Sequence, residues 1–510
     1  MADYMTALLT LLQPMNFIMM YLCTLVGAVL GAIPGLSGGL GITLILPLTF
    51  AMSTELSFSM LVGMYVGGVS GSFIAAVLVG IPGSAASIAT CYDGYPMTKK
   101  GQAAKALSIG ITGSFIGTFI SIIVATLCST YIAEIALKLG PWEYFSLCLM
   151  AITMVVGLSN GSVFKGMTAA FLGLWLACVG TDSVTNQMRF TFNNYNLFGG
   201  INVVCLLMGT FALQQVATSY AKGNQEMPKV DEGALGGIGL TLKDFTDNIK
   251  VIVVSLFIGL WIGFLPGMGS GISNILAYGQ AKKMSKHPEL FGTGVDEGVW
   301  ATEVANNAGV GGAIIPMISL GIPGDATTVL LMSAMTIHGL QPGPMFIRTN
   351  PVLADLIFAT VLVSAILIFV TELLTKKYFP LLLKAPYHYL YSAILMIAFM
   401  GAFSSTTSMF SVYLVLFFGL VGIVMDYFGL PMTPLMLAFI LGGKIESYFR
   451  MGVSYGKGDY SLFFTRPISL IFILITVYSL FGPMIQKALK KKQRKEISEG
   501  SVNSEKTFMH

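Results

Sequence analysis

The chain has 510 residues, 55% of them hydrophobic and only 10% charged, with a formal net charge of +4. Soluble domains carry roughly 25% charged residues, so this composition excludes an ordinary soluble fold. Apolar stretches of about 17 to 25 residues recur from end to end, which is the mark of transmembrane helices.

The opening Met1-Ala2-Asp3-Tyr4 has no basic run, and no small-residue cleavage site follows the first apolar stretch, so no cleaved leader is expected. Clear spans are Phe17–Ile33, Ser57–Gly80, Leu107–Leu127, Val251–Leu265, Val352–Val370, Tyr391–Phe403 and Ile468–Phe481. With hairpins and half-helices the expectation is an all-α polytopic membrane protein of roughly ten to twelve segments. Cys23, Cys91, Cys128, Cys148, Cys178 and Cys205 lie in or beside apolar runs without paired spacing, and read as small hydrophobes rather than disulfides or metal ligands.

The first span ends in a break, Gly31-Ala32-Ile33-Pro34-Gly35, and a second break follows at Gly80-Ile81-Pro82-Gly83. The pair recurs as Gly263-Phe264-Leu265-Pro266-Gly267 and Gly321-Ile322-Pro323-Gly324. Proline removes a backbone donor and clashes with the preceding turn, so each break interrupts a helix where lipid offers no substitute partner. Such breaks survive at membrane depth only when buried in protein or lining a wet cavity. Paired interruptions in two halves are a sequence pointer to a transporter's binding site. Aligning Gly68–Gly83 on Gly309–Gly324 without gaps gives eight identities in sixteen positions. The first breaks lie 232 residues apart and the second 241, a nine-residue difference that fits an insertion in the polar loop Lys282–Glu297.

The domain reading is a transmembrane repeat over 1–220, a cytoplasmic linker over 221–250, a second repeat with C-terminal spans over 251–486, and a basic tail over 487–510. Lys487, Lys490, Lys491, Lys492, Arg494 and Lys495 place that tail in the cytoplasm under the positive-inside rule. Lysines follow the second break of the first half (Lys99, Lys100, Lys105) but the first break of the second half (Lys282, Lys283, Lys286). Equivalent points then face opposite sides, and the repeats are expected to be inverted.

The segments after the first breaks, Leu40–Phe50 and Ile272–Gly279, are too short to cross and read as half-helices or re-entrant arms. Small polar residues crowd all four breaks. Candidate substrate-binding residues are Pro34, Gly35, Ser37, Gly38, Gly83, Ser84, Ser87, Pro266, Gly267, Gly269, Ser270, Ser273, Asn274, Gly324, Thr327 and Thr328. Ser, Thr, Asn and Asp are natural N-caps, and a helix N-terminus offers free N–H groups and a positive dipole end of roughly +0.5 charge. Four such ends total about +2, which suits a small di- or tricarboxylate partly neutralised by cations. Neither Gly31–Phe50 nor Gly263–Gly279 holds a Lys, Arg or His, so no buried arginine clamp is available there. The competing reading is that small residues merely let helices approach closely.

Asn306 and Asn307 are candidate coupling-ion residues because amide oxygens suit Na⁺, with Asp325 as a carboxylate and Glu303 as an ion or proton carrier. Glu303 at a loop edge and the amides as interhelical hydrogen bonds are the plainer alternatives. Asp93, in Tyr92-Asp93-Gly94-Tyr95-Pro96, is expected to make a turn. His338 and His388 stand alone at helix ends, and the thirty methionines read as packing.

The motifs Gly31-Ala32-Ile33-Pro34-Gly35-Leu36-Ser37-Gly38, Gly80-Ile81-Pro82-Gly83-Ser84, Asp93-Gly94-Tyr95-Pro96-Met97 with Lys100-Gly101, and Gly263-Phe264-Leu265-Pro266-Gly267-Met268-Gly269 occur in order along the chain. Together they resemble the tripartite tricarboxylate transporter family, at its large TctA-like membrane permease. The resemblance implies a secondary active transporter, a symporter of small carboxylates such as citrate driven by Na⁺ or H⁺, in a bacterial inner membrane. It also implies a small TctB-like membrane subunit and a periplasmic TctC-like solute-binding protein. No cofactor is expected, with Na⁺ a candidate coupling ion. Elevator motion in a homodimer is the expectation by analogy.

Three rivals stand beside this reading. Gly35-Leu36-Ser37-Gly38 fits the Gly-x-Ser-Gly of intramembrane serine proteases, with His338 as nominal base, but short Gly/Ser patterns are common in a chain with 58 glycines. Broken helices also build selectivity filters, so an anion-selective channel is the nearer rival. A purely structural subunit gives no reason for repeated polar interruptions. No Walker loop is present, so nucleotide hydrolysis by the chain is not expected.

Overall fold

The computed structural model describes residues 2–158, 162–182, 185–221, 239–383 and 387–482. Their regular structure is helical apart from one short strand pair, Gly180–Thr181 with Met188–Arg189. In the first half the helices are α1 (Ala2–Leu11), α2 (Pro14–Ala32), α3 (Gly38–Ile45), α4 (Thr54–Gly71), α5 (Phe73–Val79), α6 (Thr90–Lys99), α7 (Ala103–Ala136), α8 (Pro141–Leu158) and α9 (Val163–Ala177). A π-turn joins α10 (Val203–Leu207) to α11 (Gln214–Ala221). The second half has α12 (Leu242–Phe264), α13 (Gly269–Met284), α14 (Asp296–Ser319), α15 (Ala326–Ile337), α16 (Pro344–Thr349), α17 (Pro351–Thr375) and α18 (Phe379–Leu383). It closes with α19 (Tyr387–Thr406), α20 (Met409–Tyr427), α21 (Met432–Tyr455), α22 (Leu462–Thr465) and α23 (Pro467–Gly482).

Among the described residues eight helices are long and apolar enough to cross a membrane, with five shorter apolar helices beside them. The chain is an all-α, multi-pass membrane protein. The polar helix α14 is the exception that explains itself: every residue from Gly298 to Ser319 is buried. A helix carrying Glu303, Asn306 and Asn307 is tolerated at membrane depth only inside a protein jacket.

Two compact units divide the chain. One comprises Met1–Lys138 with Cys178–Phe428 and contains all four breaks. The other joins Leu139–Ala177 to the segment from Gly429 onward. Within it α21 packs on α8 and α9, a methyl group on Gly173 would lie 2.1 Å from the Leu435 carbonyl oxygen, and Arg466 pairs with Glu143 at 2.7 Å.

Packing repeats where sequence repeats. A methyl group on Gly27 would lie 2.4 Å from the Met64 carbonyl oxygen, and one on Gly259 would lie 2.4 Å from that of Ala305. Gly31 is as tight against Gly68 O (2.3 Å) as Gly263 is against Gly309 O (2.6 Å). Gly71 meets Ala28 O at 2.2 Å and Gly312 meets Leu260 O at 2.6 Å. Each partner sits at the 232- or 241-residue offset of the alignment. The pairs α2/α4 and α12/α14 are therefore the same backbone-on-backbone crossing, which small residues permit.

One expectation changes: the second post-break helix, α13, runs 16 residues to Met284, twice the length of α3. Thr241 caps α12, whose first turns are Leu242–Lys250; residues 222–238 and 487–510 lie outside the described residues. Lys105, in the first turn of α7, pairs with Asp244 at 2.9 Å and Asp296 at 2.5 Å.

Candidate substrate and ion site

The breaks adopt matched backbone geometry. Gly35 and Gly267 have φ of 82° and 73°, and Gly80 and Gly321 have 72° and 69°, values that favour glycine. After the second break, Ser84 (φ −146°, ψ 173°) and Asp325 (φ −145°, ψ 178°) both form capping boxes, with Ser87 and Thr328 respectively. Gly83 packs on the Gly31 carbonyl (2.2 Å for an added methyl) and Gly324 on that of Gly263 (2.7 Å), so each second break closes against its own first break.

The four breaks also meet one another, across the halves at Gly39 and Gly271 and within the second half at Gly269. Gly39 in α3 faces the Thr327 hydroxyl and Leu330 of α15. Gly269 at the start of α13 sits 3.1 Å, by an added methyl, from the Asp325 side chain. Gly271 lies beside Ala85. Ser37, Ser84, Ser270 and Thr327 are half-buried around this junction, while Ser87, Ser273, Asn274 and Thr328 are buried.

Ser37 caps α3 through the Leu40 N–H at 3.3 Å, and Gly38 presses against Gly68. The Gly35 carbonyl, next to half-buried Pro34, accepts from the Gln215 amide. Pro266 is buried beside half-buried Gly267. Ser273 donates to the carbonyls of Ser270 (2.9 Å) and Ala305 (3.1 Å), so its hydroxyl serves packing. Ser84 heads a single 3-10 turn, Ala85–Ser87, rather than a helix. The expectation of four converging helix dipoles is thereby corrected to three, from α3, α13 and α15.

Asn274 ties the halves together. Its Oδ1 accepts from the Ala89 N–H at 2.9 Å, and its Nδ2 donates to Thr90 Oγ1 and the Thr302 carbonyl, both at 3.3 Å. Thr90 in turn donates to Glu303 Oε1 at 2.5 Å. Glu303 is wholly buried mid-helix, which corrects the loop-edge alternative. Its Oε2 receives Ser114 at 3.4 Å and Asn306 at 3.5 Å. Asn307 donates to Ser114 (2.9 Å) and accepts from Thr118 (3.3 Å), while Asn306 Oδ1 is buried with no donor. Asp325 accepts from Tyr65 at 2.7 Å and from Thr328 N and Oγ1 at 2.6 and 2.8 Å. Among the described residues no basic side chain bonds to Asp325, Glu303 or Glu372. Burying an unpaired carboxylate is costly, and here neutral donors meet that cost in part.

Asp93 makes no turn; it lies inside α6, wholly buried. Its Oδ1 accepts from the N–H groups of Gly292 (2.9 Å), Gly294 (2.7 Å) and Val295 (3.1 Å), and its Oδ2 from Tyr278 (2.9 Å). Ser37 and His338 do not meet as a protease pair: His338 Nε2 bonds Thr49 Oγ1 at 3.2 Å. The side chain of His388 lies outside the described residues. Sequence reading missed Tyr65, Thr90, Ser114, Ser70 and Glu372. Only Glu372 left a signal, a carboxylate two residues past the apolar run Val352–Val370.

A family model described as Tripartite tricarboxylate transporter TctA family matches residues 17–437. An uncharacterized 52.8 kDa protein in the TAR-I ttuC' 3'region of Agrobacterium vitis is 31% identical over 429 residues, covering 84% of this chain and 85% of its own length. An uncharacterized protein in the TAR-II ttuC' 3'region of the same organism is 34% identical over 211 residues, 41% of this chain and 87% of its own length.

Proposed function

The chain belongs to the tripartite tricarboxylate transporter TctA family, a transporter rather than an enzyme family, and from that premise we propose that it imports small di- or tricarboxylates such as citrate by cation-coupled alternating access. The observation that carries this reading is the junction of the four breaks, where half-buried Ser37, Ser84, Ser270 and Thr327 surround the N-termini of α3, α13 and α15. Hydroxyls and free N–H groups bind carboxylate oxygens without a fixed cation, so the anion is released when the cavity opens to the other side. Asp325 uses its oxygens to orient α15 and hold Tyr65. Glu303, with Asn306 and Asn307, is the coupling-cation locus, since its carboxylate lies in the wall that joins the halves through Thr90 and Asn274.

The matched crossings of α2/α4 and α12/α14 support two repeats, read as inverted from the lysine distribution. The linker and tail are cytoplasmic in this reading, the membrane is a bacterial inner membrane, and a TctB-like subunit and a TctC-like binding protein complete the system. A homodimer with elevator motion fits the hairpin pattern by analogy.

Uptake into proteoliposomes, with and without Na⁺ and pH gradients and with the solute-binding protein of the same operon, tests the proposal. Saturable, gradient-dependent citrate uptake is expected. Non-saturating flux without a gradient would favour the channel. Unchanged kinetics in Ser37→Ala, Asn274→Ala and Asp325→Ala would remove the site assignment.

A further inference from the structure

A second buried carboxylate stands apart from the residues assigned above. Glu372 on α17 is 2% exposed. Its Oε2 has one donor, Ser70 of α4 at 3.4 Å, and its Oε1 is buried with no hydrogen-bond partner. Ser70, the donor to Glu372, and Ser114, a donor to Glu303, line one narrow cleft among α4, α7 and α17 together with Thr118 and Phe369. The cleft is too tight to hold a water molecule.

An ionised carboxylate offers about four acceptor sites, and leaving one oxygen bare in an apolar interior is among the costliest arrangements a protein can hold. Glu303 has three donors and Glu372 one long one, so the environments of the pair differ sharply. Two titratable groups in unequal surroundings take unequal roles.

We propose that Glu372 is a proton-carrying residue of the transporter, additional to the cation locus at Glu303, and is held as the neutral acid in this conformation. The inference rests on the cation-coupled reading and adds a proton carrier to it. A proton from water on one side of the membrane adds to Oε1, giving a neutral O–H acid; on the return step it leaves from that oxygen to water on the other side, restoring the carboxylate. Lys376, one turn on, donates to Ser108 of α7 at 2.7 Å, Tyr21 of α2 bonds Thr371 at 2.8 Å, and Tyr65 of α4 bonds Asp325. At the start of α7, Lys105 is paired with Asp244 and Asp296.

Infrared difference spectroscopy of the purified full chain in lipid nanodiscs, across acid, neutral and alkaline buffers, tests this without substrate. A carboxylic-acid C=O band is expected in the wild type, lost in Glu372→Gln and retained in Glu289→Gln, an exposed loop control. If Glu372→Gln does not fold, Ser70→Ala decides: removing the sole donor to Glu372 must shift the band frequency. A band that persists in Glu372→Gln, is unmoved in Ser70→Ala, or is absent from the wild type at every pH overturns the proposal. So does a spectrum that responds to Na⁺ but not to pH. Loss of citrate uptake with these bands intact would instead defeat the substrate reading alone.

Discussion

Gly83 shows how single atoms decide this structure. A methyl group there would lie 2.2 Å from the Gly31 carbonyl oxygen and 2.7 Å from that of Ser72, both backbone atoms that have no side-chain freedom to yield. Gly83→Ala is therefore expected to cost about 1 to 3 kcal/mol by overpacking, read as a lower thermal midpoint in detergent. Gly199→Ala, with open space around the added methyl, should leave that midpoint unchanged. Asp325 invites a graded comparison. Asn at this position keeps a capping oxygen, whereas Ala loses the cap, about 1 kcal/mol, and strands the Tyr65 hydroxyl, about 1 to 3 kcal/mol. The thermal midpoint should fall further in Asp325→Ala than in Asp325→Asn, and both should raise the citrate concentration for half-maximal uptake. Equal midpoints would mean that the cap contributes nothing.

Among elements, the halves are joined by side chains that reach from one to the other. Asn274 of α13 holds the backbone before α6, and Asp93 of α6 holds the loop before α14. Asp93→Ala leaves three backbone N–H groups without an acceptor. Amide hydrogen exchange at Gly292, Gly294 and Val295 should then rise at least about tenfold, since about 1.4 kcal/mol suffices for that factor. Unchanged exchange would show the loop to be held by other contacts. The elements themselves were largely legible: the proline-glycine breaks appear where the sequence puts them, and Ser84 and Asp325 cap where small polar residues predict. Asp93 was misread because Asp-Gly is a strong local turn signal. The competing force is tertiary: three N–H groups and a tyrosine hydroxyl converge on its carboxylate from nearly 200 positions away.

For the molecule as a whole, the orientation of the two halves is the open physical quantity. With the native cysteines replaced, a cysteine at Thr54 and one at Ser285 should react with a membrane-impermeant reagent from opposite sides. Labelling from one side would defeat the inverted arrangement while leaving the matched packing of α2/α4 and α12/α14 in place.

By itself the sequence determined that the chain lives in a membrane, that its helices break in two matched pairs, and that it carries the family's motifs. These are one-dimensional properties: hydropathy over a bilayer's thickness, and a proline's missing N–H, act on neighbours along the chain. Tertiary structure alone decided that the breaks meet across the halves, that Ser273 and Thr328 serve packing and capping, and that the serines bonded to Glu303 and Glu372 line one cleft. A hydrogen bond joins atoms by distance in space, and nothing in residue order records that Glu372 lies beside Ser70.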